Sequence, residues 1–295
     1  MTADIALVEN QPVVDALVDL LDLEPVEPDV FLGRSPQISL QRVFGGQVAG
    51  QALVAAARTV DRDRPVHSLH SYFIRPGDPS VPIRYRVDRV RDGHSFTTRR
   101  VIALQHDKAI FALAASFQLA QGGVDHQLHM PNVPAPETLP TLQDRYAGFK
   151  DAVAVYARLP RPFDIRYVDD PPWIQRSHGP REHAPHRMWM RAAGTLPDDP
   201  VVHVCALTFA SDLTLLDSVL IHHGLAAALD PVKTASLDHA MWFHRGFRAD
   251  EWFLYVTTSP SASGGRGLAE GKIFARDGRQ IVSVVQEGML RVPSA

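Results

Sequence analysis

Two stretches of this chain carry the same short pattern, and they differ where a proton could be taken. Phe44-Gly45-Gly46-Gln47 opens an apolar stretch in the first half, and Phe209-Ala210-Ser211-Asp212 opens another in the second. Downstream, Ser68-Leu69 matches Ser236-Leu237, and Phe117-Gln118 matches Val285-Gln286. The offsets are nearly constant: 209 − 44 = 165, 236 − 68 = 168 and 286 − 118 = 168. A pattern that recurs at one spacing marks two copies of a folding unit. The second copy has the carboxylate of Asp212 where the first has the amide of Gln47, and only the carboxylate can act as a base. An Asp at a helix start also has the form of an N-cap, and Ser236 and Gln286 on strands also suit structural hydrogen bonding.

Other constellations carry less. Asp238-His239 lies beside Ser236, but adjacent strand residues point to opposite faces, so proximity alone makes no Ser-His-Asp triad. Gly93-His94-Ser95-Phe96-Thr97 lacks the last glycine of a nucleophile elbow. His183, His186, His222 and His223 do not form a His-Glu-x-x-His helix, so no metal site is expected. The glycines at 45, 46 and 50 lack the Lys-Ser/Thr end of a phosphate loop, and no organic cofactor is expected. Gly264-Gly265-Arg266-Gly267 has the form of a hairpin tip from which Arg266 could meet a phosphate.

The elements that must position these residues follow from periodicity. Val13 to Leu23 has helical spacing, and Asp29 to Arg34 is a short strand. After Gly45-Gly46 the chain is apolar almost all round to Ala57, as in a helix wrapped by other structure. Strands follow at Ser68–Ile74, Ile83–Val90, Phe96–Gln105 and Ala109–Gln118, the last two around a turn at His106-Asp107-Lys108. Prolines 131, 134, 136, 140, 160 and 162 then break any sheet, leaving a linker with a helix over Leu142–Leu159. Extended segments return at Asp164–Val168, His186–Ala193 and Val201–Phe209. Asp212 is expected to open a helix that stops at Gly224. Strands at Ser236–Phe243, Trp252–Thr257, Gly267–Ala275 and Gln280–Leu290 complete the pattern. The class is α+β: two antiparallel sheets, each curled around one apolar helix and paired edge to edge or face to face.

Composition limits the partners. With 295 residues, 45% hydrophobic, the chain holds one large core or two modest ones. A net charge of −3 argues against nucleic acid, and no apolar run is long enough for stable membrane insertion. Met1-Thr2-Ala3-Asp4 lacks a signal-peptide start and Pro293-Ser294-Ala295 lacks a peroxisomal ending. Cys205 is the only cysteine and sits in an apolar run, so a cytoplasmic protein with a buried thiol is expected.

Several longer strings are specific. They are Arg42-Val43-Phe44-Gly45-Gly46-Gln47, His70-Ser71-Tyr72-Phe73-Ile74-Arg75-Pro76-Gly77-Asp78, Phe209-Ala210-Ser211-Asp212-Leu213, Ser236-Leu237-Asp238-His239-Ala240-Met241-Trp242-Phe243-His244-Arg245 and Val285-Gln286-Glu287-Gly288. From about Leu17 to Arg291 the chain resembles the acyl-CoA thioesterase II family, the double-hotdog enzymes. The resemblance implies hydrolysis of fatty acyl-CoA to free acid and CoA, with Asp212, Ser236 and Gln286 as the catalytic set. It implies a hotdog repeat over 12–120, a proline-rich linker over 121–162 and a second, catalytic repeat over 163–293. Homo-oligomers of double-hotdog chains are also implied. Substrate contacts are expected from Gly45, Gly46, Gln47, Ser211 and Arg266, with oxyanion donors near Gly45-Gly46 or Ser211-Asp212. Two rival readings are a hotdog enoyl-CoA hydratase or dehydratase using Asp238-His239, and a non-catalytic acyl-CoA binding protein.

Overall fold

The structure is a computed structural model describing residues 2–36, 42–146, 149 and 161–292. Among these residues thirteen strands form one sheet whose every pairing is antiparallel. The first half contributes β1 (Glu24–Glu27), β2 (Val30–Gly33), β3 (Val66–Phe73), β4 (Ile83–Asp92), β5 (Phe96–Gln105) and β6 (Lys108–Gln118). The second contributes β7 (Phe163–Tyr167), β8 (His186–Ala192), β9 (Lys233–Ser236), β10 (Asp238–Phe243), β11 (Phe253–Ser263), β12 (Arg266–Ala275) and β13 (Gln280–Arg291). The order is β1-β2-β4-β5-β6-β3-β10-β13-β12-β11-β8-β7, with β9 added to β13. The two halves therefore meet edge to edge, where β3 pairs with β10 and His239 lies opposite Ser71. Outward from that seam, each half has the same succession of strands. The repeat in the sequence is a repeat in the fold.

Helices complete the fold. α1 (Thr2–Leu21) precedes the sheet, and α2 (Gly45–Ala57) is the central helix of the first half. Short helices α3 (Leu142–Tyr146) and α4 (Pro172–Gln175) lie in and after the linker, and α5 (Pro200–Ser211) and α6 (Asp217–His222) belong to the second half. The expected helix over Leu142–Leu159 is present only as α3; residues 147, 148 and 150–160 lie outside the described residues. α2 is buried from Gly46 through Ala56, because β4, β5 and β6 cover one side and α5 the other. At Gly46 a Cβ would stand 2.5 Å from the Phe209 carbonyl oxygen, so α2 and α5 meet backbone to backbone.

Two expectations fail here. Val201–Phe209 is helix, not strand. Asp199 caps it, accepting a 2.9 Å hydrogen bond from the Val201 N–H, and Pro200 stands at its first turn. A run that is apolar on all sides shows no period, so only the Asp-Pro start distinguishes helix from buried strand. In consequence Asp212 does not open a helix. It is the C-cap of α5, at φ −86° and ψ −5°. The second difference is smaller: Ser236–Phe243 is two strands, broken at Leu237, whose N–H still bonds the Glu287 carbonyl.

The proline-rich linker is laid over the outer face of the second half. Met130, Val133 and Leu139 cover Trp189, Trp252, Leu254 and Phe274, and Trp189 Nε1 donates to the Pro134 carbonyl at 2.9 Å. No described helix is long and apolar enough to cross a membrane.

Candidate active site

Three segments far apart in sequence converge where α5 ends. The α5 C-cap supplies Asp212, β9 ends on Ser236, and β13 presents Gln286 inward beside Val284 and Val282. Strand register does the positioning, because Ser236 pairs with Gly288, two residues beyond Gln286 on the same face. Gly288 has no side chain because Leu216 occupies that space: a Cβ there would lie 2.6 Å from its methyl groups. The segment after Asp212 is thereby pressed onto the sheet.

Asp212 is loaded with donors. Its Oδ1 accepts from Gln286 Nε2 at 2.7 Å and from Ser236 Oγ at 3.3 Å. The Gly46 N–H, at the start of α2, also donates to the carboxylate. A carboxylate at a helix N-terminus is favoured by the unpaired N–H groups and the helix dipole. Asp212 therefore caps α2 from the other half of the molecule, where Phe44 offers no side-chain cap. Gly45 is required for this, since a Cβ would fall 2.7 Å from Asp212 Oδ2 and 2.8 Å from the Phe73 ring. Burial nevertheless raises the Asp212 pKa above the usual carboxylate value; the nearby His239 and the three donors oppose that shift. A donor-held carboxylate with raised proton affinity is suited to accept a proton from water.

The residues expected to touch substrate separate into two groups. Gly45 and Gly46 are at the carboxylate, with the Gly46 N–H directed toward Asp212. Gln47 faces away, donating to Ser35 Oγ at 3.0 Å and to the Arg34 carbonyl at 3.3 Å. The Ser211 hydroxyl bonds His239 Nε2 at 2.8 Å and the Thr208 carbonyl at 2.9 Å, inside the protein. Arg266 pairs with Glu287 at 2.9 Å. Glu287 adjoins Gln286 on the strand and so points to the opposite face. Arg266 thus sits across the sheet from Asp212. Among the described residues, Gln47, Ser68 and Gln118 are not hydrogen-bonded to one another as their counterparts are; Gln118 instead bonds Gln121 at 3.3 Å.

The family is settled by comparison with known proteins. The second half, residues 159–289, matches the model of the acyl-CoA thioesterase family, and residues 34–118 match its N-terminal domain. Acyl-coenzyme A thioesterase 8 of Homo sapiens is 42% identical over 288 residues, covering 92% of this chain and 88% of that protein. This chain belongs to the acyl-CoA thioesterase family. Acyl-CoA thioesterase 2 of Haemophilus influenzae is 36% identical, covering 95% of this chain and 98% of its own. The crystal structure of acyl-CoA thioesterase II TesB2 from Mycobacterium marinum superposes with a TM-score of 0.78 at 47% identity, over 94% of this chain and 99% of that one. The double-hotdog fold expected from the sequence is the observed one.

In this thioesterase the Asp238-His239 pair is split between faces. Asp238 Oδ1 accepts from the Glu287 N–H at 2.7 Å, whereas His239 is 1% exposed and turned inward to Ser211. The sequence singles out His239 only as half of the Asp238-His239 pair, not as a partner of Ser211 behind Asp212. Alternation contained the signal: Met241, two residues on, is core, so His239 shares its face.

Proposed function

We propose that this chain hydrolyses fatty acyl-CoA to free fatty acid and CoA, with Asp212, Ser236 and Gln286 as its catalytic residues. The observation that carries the reading is the meeting of Gln286 Nε2 and Ser236 Oγ on one oxygen of a carboxylate whose proton affinity burial raises. Water held at this carboxylate attacks the thioester carbonyl carbon, and Asp212 takes its proton. The carbonyl oxygen becomes an oxyanion, for which N–H groups of the first α2 turn are the donors this reading assigns. Collapse breaks the carbon–sulfur bond, and CoA leaves as thiolate to be protonated. No organic or metal cofactor enters any step.

The hydratase reading needs a His–Asp pair reaching a substrate carbon, and His239 is buried behind the carboxylate while Asp238 faces away. Thiol release from a panel of saturated and enoyl-CoAs tests the assignment. Equal thiol and free acid are expected. Loss of the enoyl chromophore without thiol, or tight binding without turnover, would overturn it.

The division into repeats at 12–120 and 163–293, joined by 121–162, is supported by the two family models at 34–118 and 159–289. Self-association across the outer sheet face accompanies it. The linker covers that face in the second half, but near the seam Tyr72 stands 65% exposed, and Ala114, opposite His70 on the neighbouring strand, is exposed as well. A cytoplasmic location suits the fully buried Cys205 thiol, whose pKa burial pushes up beyond any physiological range.

A further inference from the structure

Behind the carboxylate lies a second layer whose polar atoms do not balance on distance alone. Gln286 gives Nε2 to Asp212, which leaves its Oε1 buried without a partner of full hydrogen-bond geometry. His239 Nδ1 is likewise buried without such a partner, while His239 Nε2 is held by Ser211 Oγ at 2.8 Å. The two unsatisfied atoms belong to neighbouring side chains: Ala240 pairs with Val285 across antiparallel β10 and β13, which sets His239 beside Gln286 on the next position. An amide can turn end for end, and leaving either atom unpaired costs about 1–3 kcal/mol. One placement satisfies both atoms: a proton on Nδ1, pointing at Oε1. The Ser211 hydroxyl then turns its single hydrogen from the Thr208 carbonyl to Nε2, and Tyr255 fixes the same turn by donating to the Ser211 carbonyl at 3.1 Å. The opposite tautomer presents a lone pair to Gln286. It would draw the amide N–H₂ to the imidazole and turn oxygen against oxygen at Asp212.

We propose that His239 is a positioning residue for the hydrolytic reaction, holding the Gln286 amide so that its N–H₂ faces Asp212. The proposal rests on the thioesterase reading above, and goes beyond it by adding a residue that touches neither substrate nor water. Register supports the placement. His239 is fixed at the seam between the halves by Ser71, whose Oγ donates to the His239 carbonyl at 2.8 Å. The base is thus oriented through a chain that runs Ser211, His239, Gln286, Asp212. Its first member lies one residue before its last.

Three variants and a double-mutant cycle test this in the full-length protein. Asn can offer its amide N–H near the Nδ1 position; Gln reaches only toward the Nε2 position. His239→Leu is expected to lower kcat about 100-fold with KM little changed, as small misplacements of catalytic groups do. His239→Asn should recover most of that loss, and His239→Gln should not. Added to Gln286→Leu, the His239→Leu change should cost almost nothing further, because the group it orients is gone. Independent, multiplying losses would overturn the proposal, as would Gln rescuing as well as Asn. Should His239→Leu fail to fold, the Asn and Gln pair still decides. Wild-type protein releasing no thiol would instead sink the thioesterase reading on which the proposal stands.

Discussion

Asp212→Asn is expected to lower kcat by about 10²–10⁴-fold with little change in KM, the usual contribution of a general base. Asn keeps the volume and can still accept from Gln286 Nε2 and Ser236 Oγ, so the site should remain assembled while losing its proton acceptor. Steady-state thiol release checks the figure, and unfolding temperature checks that the fold is intact. The size of the remaining activity is itself informative. If half the rate survived, the first copy would be working too, which its geometry opposes. There Gln47 bonds Ser35 and the Arg34 carbonyl, and Gln118 bonds Gln121. The pH profile carries the same assignment. Because burial raises the Asp212 pKa, the acid limb of kcat/KM belongs above the ordinary carboxylate range, activity falling as pH drops through it.

Gln286→Leu is the second large effect, expected at about 10²–10³-fold in kcat, the typical cost of one oriented donor at a charged centre. The Nε2–Oδ1 bond at 2.7 Å is the shorter of the two side-chain bonds to Asp212, and Gln286 is fully buried. Losing a donor to the charged form should also move the acid limb to higher pH. Stability should fall by no more than about 1–3 kcal/mol. Leu has similar size, but it leaves the Asp212 carboxylate short of one donor and the His239 Nδ1–H without its proposed acceptor. A large fall in unfolding temperature with proportionate activity loss would mean that Gln286 serves packing and not chemistry.

Much of the fold and most of the site are legible in the amino-acid sequence. β5 runs Phe96–Gln105, the span its alternation gives, and the turn after it has His106 and Asp107 at positive φ, 50° and 57°, as a two-residue hairpin demands. The duplication places Asp212, Ser236 and Gln286 in one repeat because their spacing mirrors that of Gln47, Ser68 and Gln118. What stays hidden depends on contacts between distant segments. β1 (Glu24–Glu27) is fully exposed and carries Pro25, so it has no alternation to read. α5 has no polar stripe, since α1 and α2 pack against it and side chains of β7, β10 and β11 meet it as well. The Gly46 N–H lies at Asp212 only because β3 and β10 join the halves, and the imidazole of His239 lies beside Gln286 only because β10 pairs with β13. No local pattern encodes such a contact.

The joining of the halves also accounts for the single carboxylate of the proposed site. Asp212 comes from the second repeat, yet the α2 terminus that receives it and the glycine that makes room for it come from the first. A substitution of Gln for Asp in the first copy removes a base without removing a scaffold.

The central claim is that Asp212 activates water and does not itself attack the thioester. A single turnover in ¹⁸O-labelled water, with enzyme in excess over acyl-CoA, tests it most directly. Direct attack by water predicts a fatty acid carrying one ¹⁸O atom and an unlabelled Asp212 peptide after digestion. Unlabelled acid from that first turnover, with ¹⁸O in the Asp212 carboxyl group, would contradict it and establish an acyl-aspartyl anhydride instead.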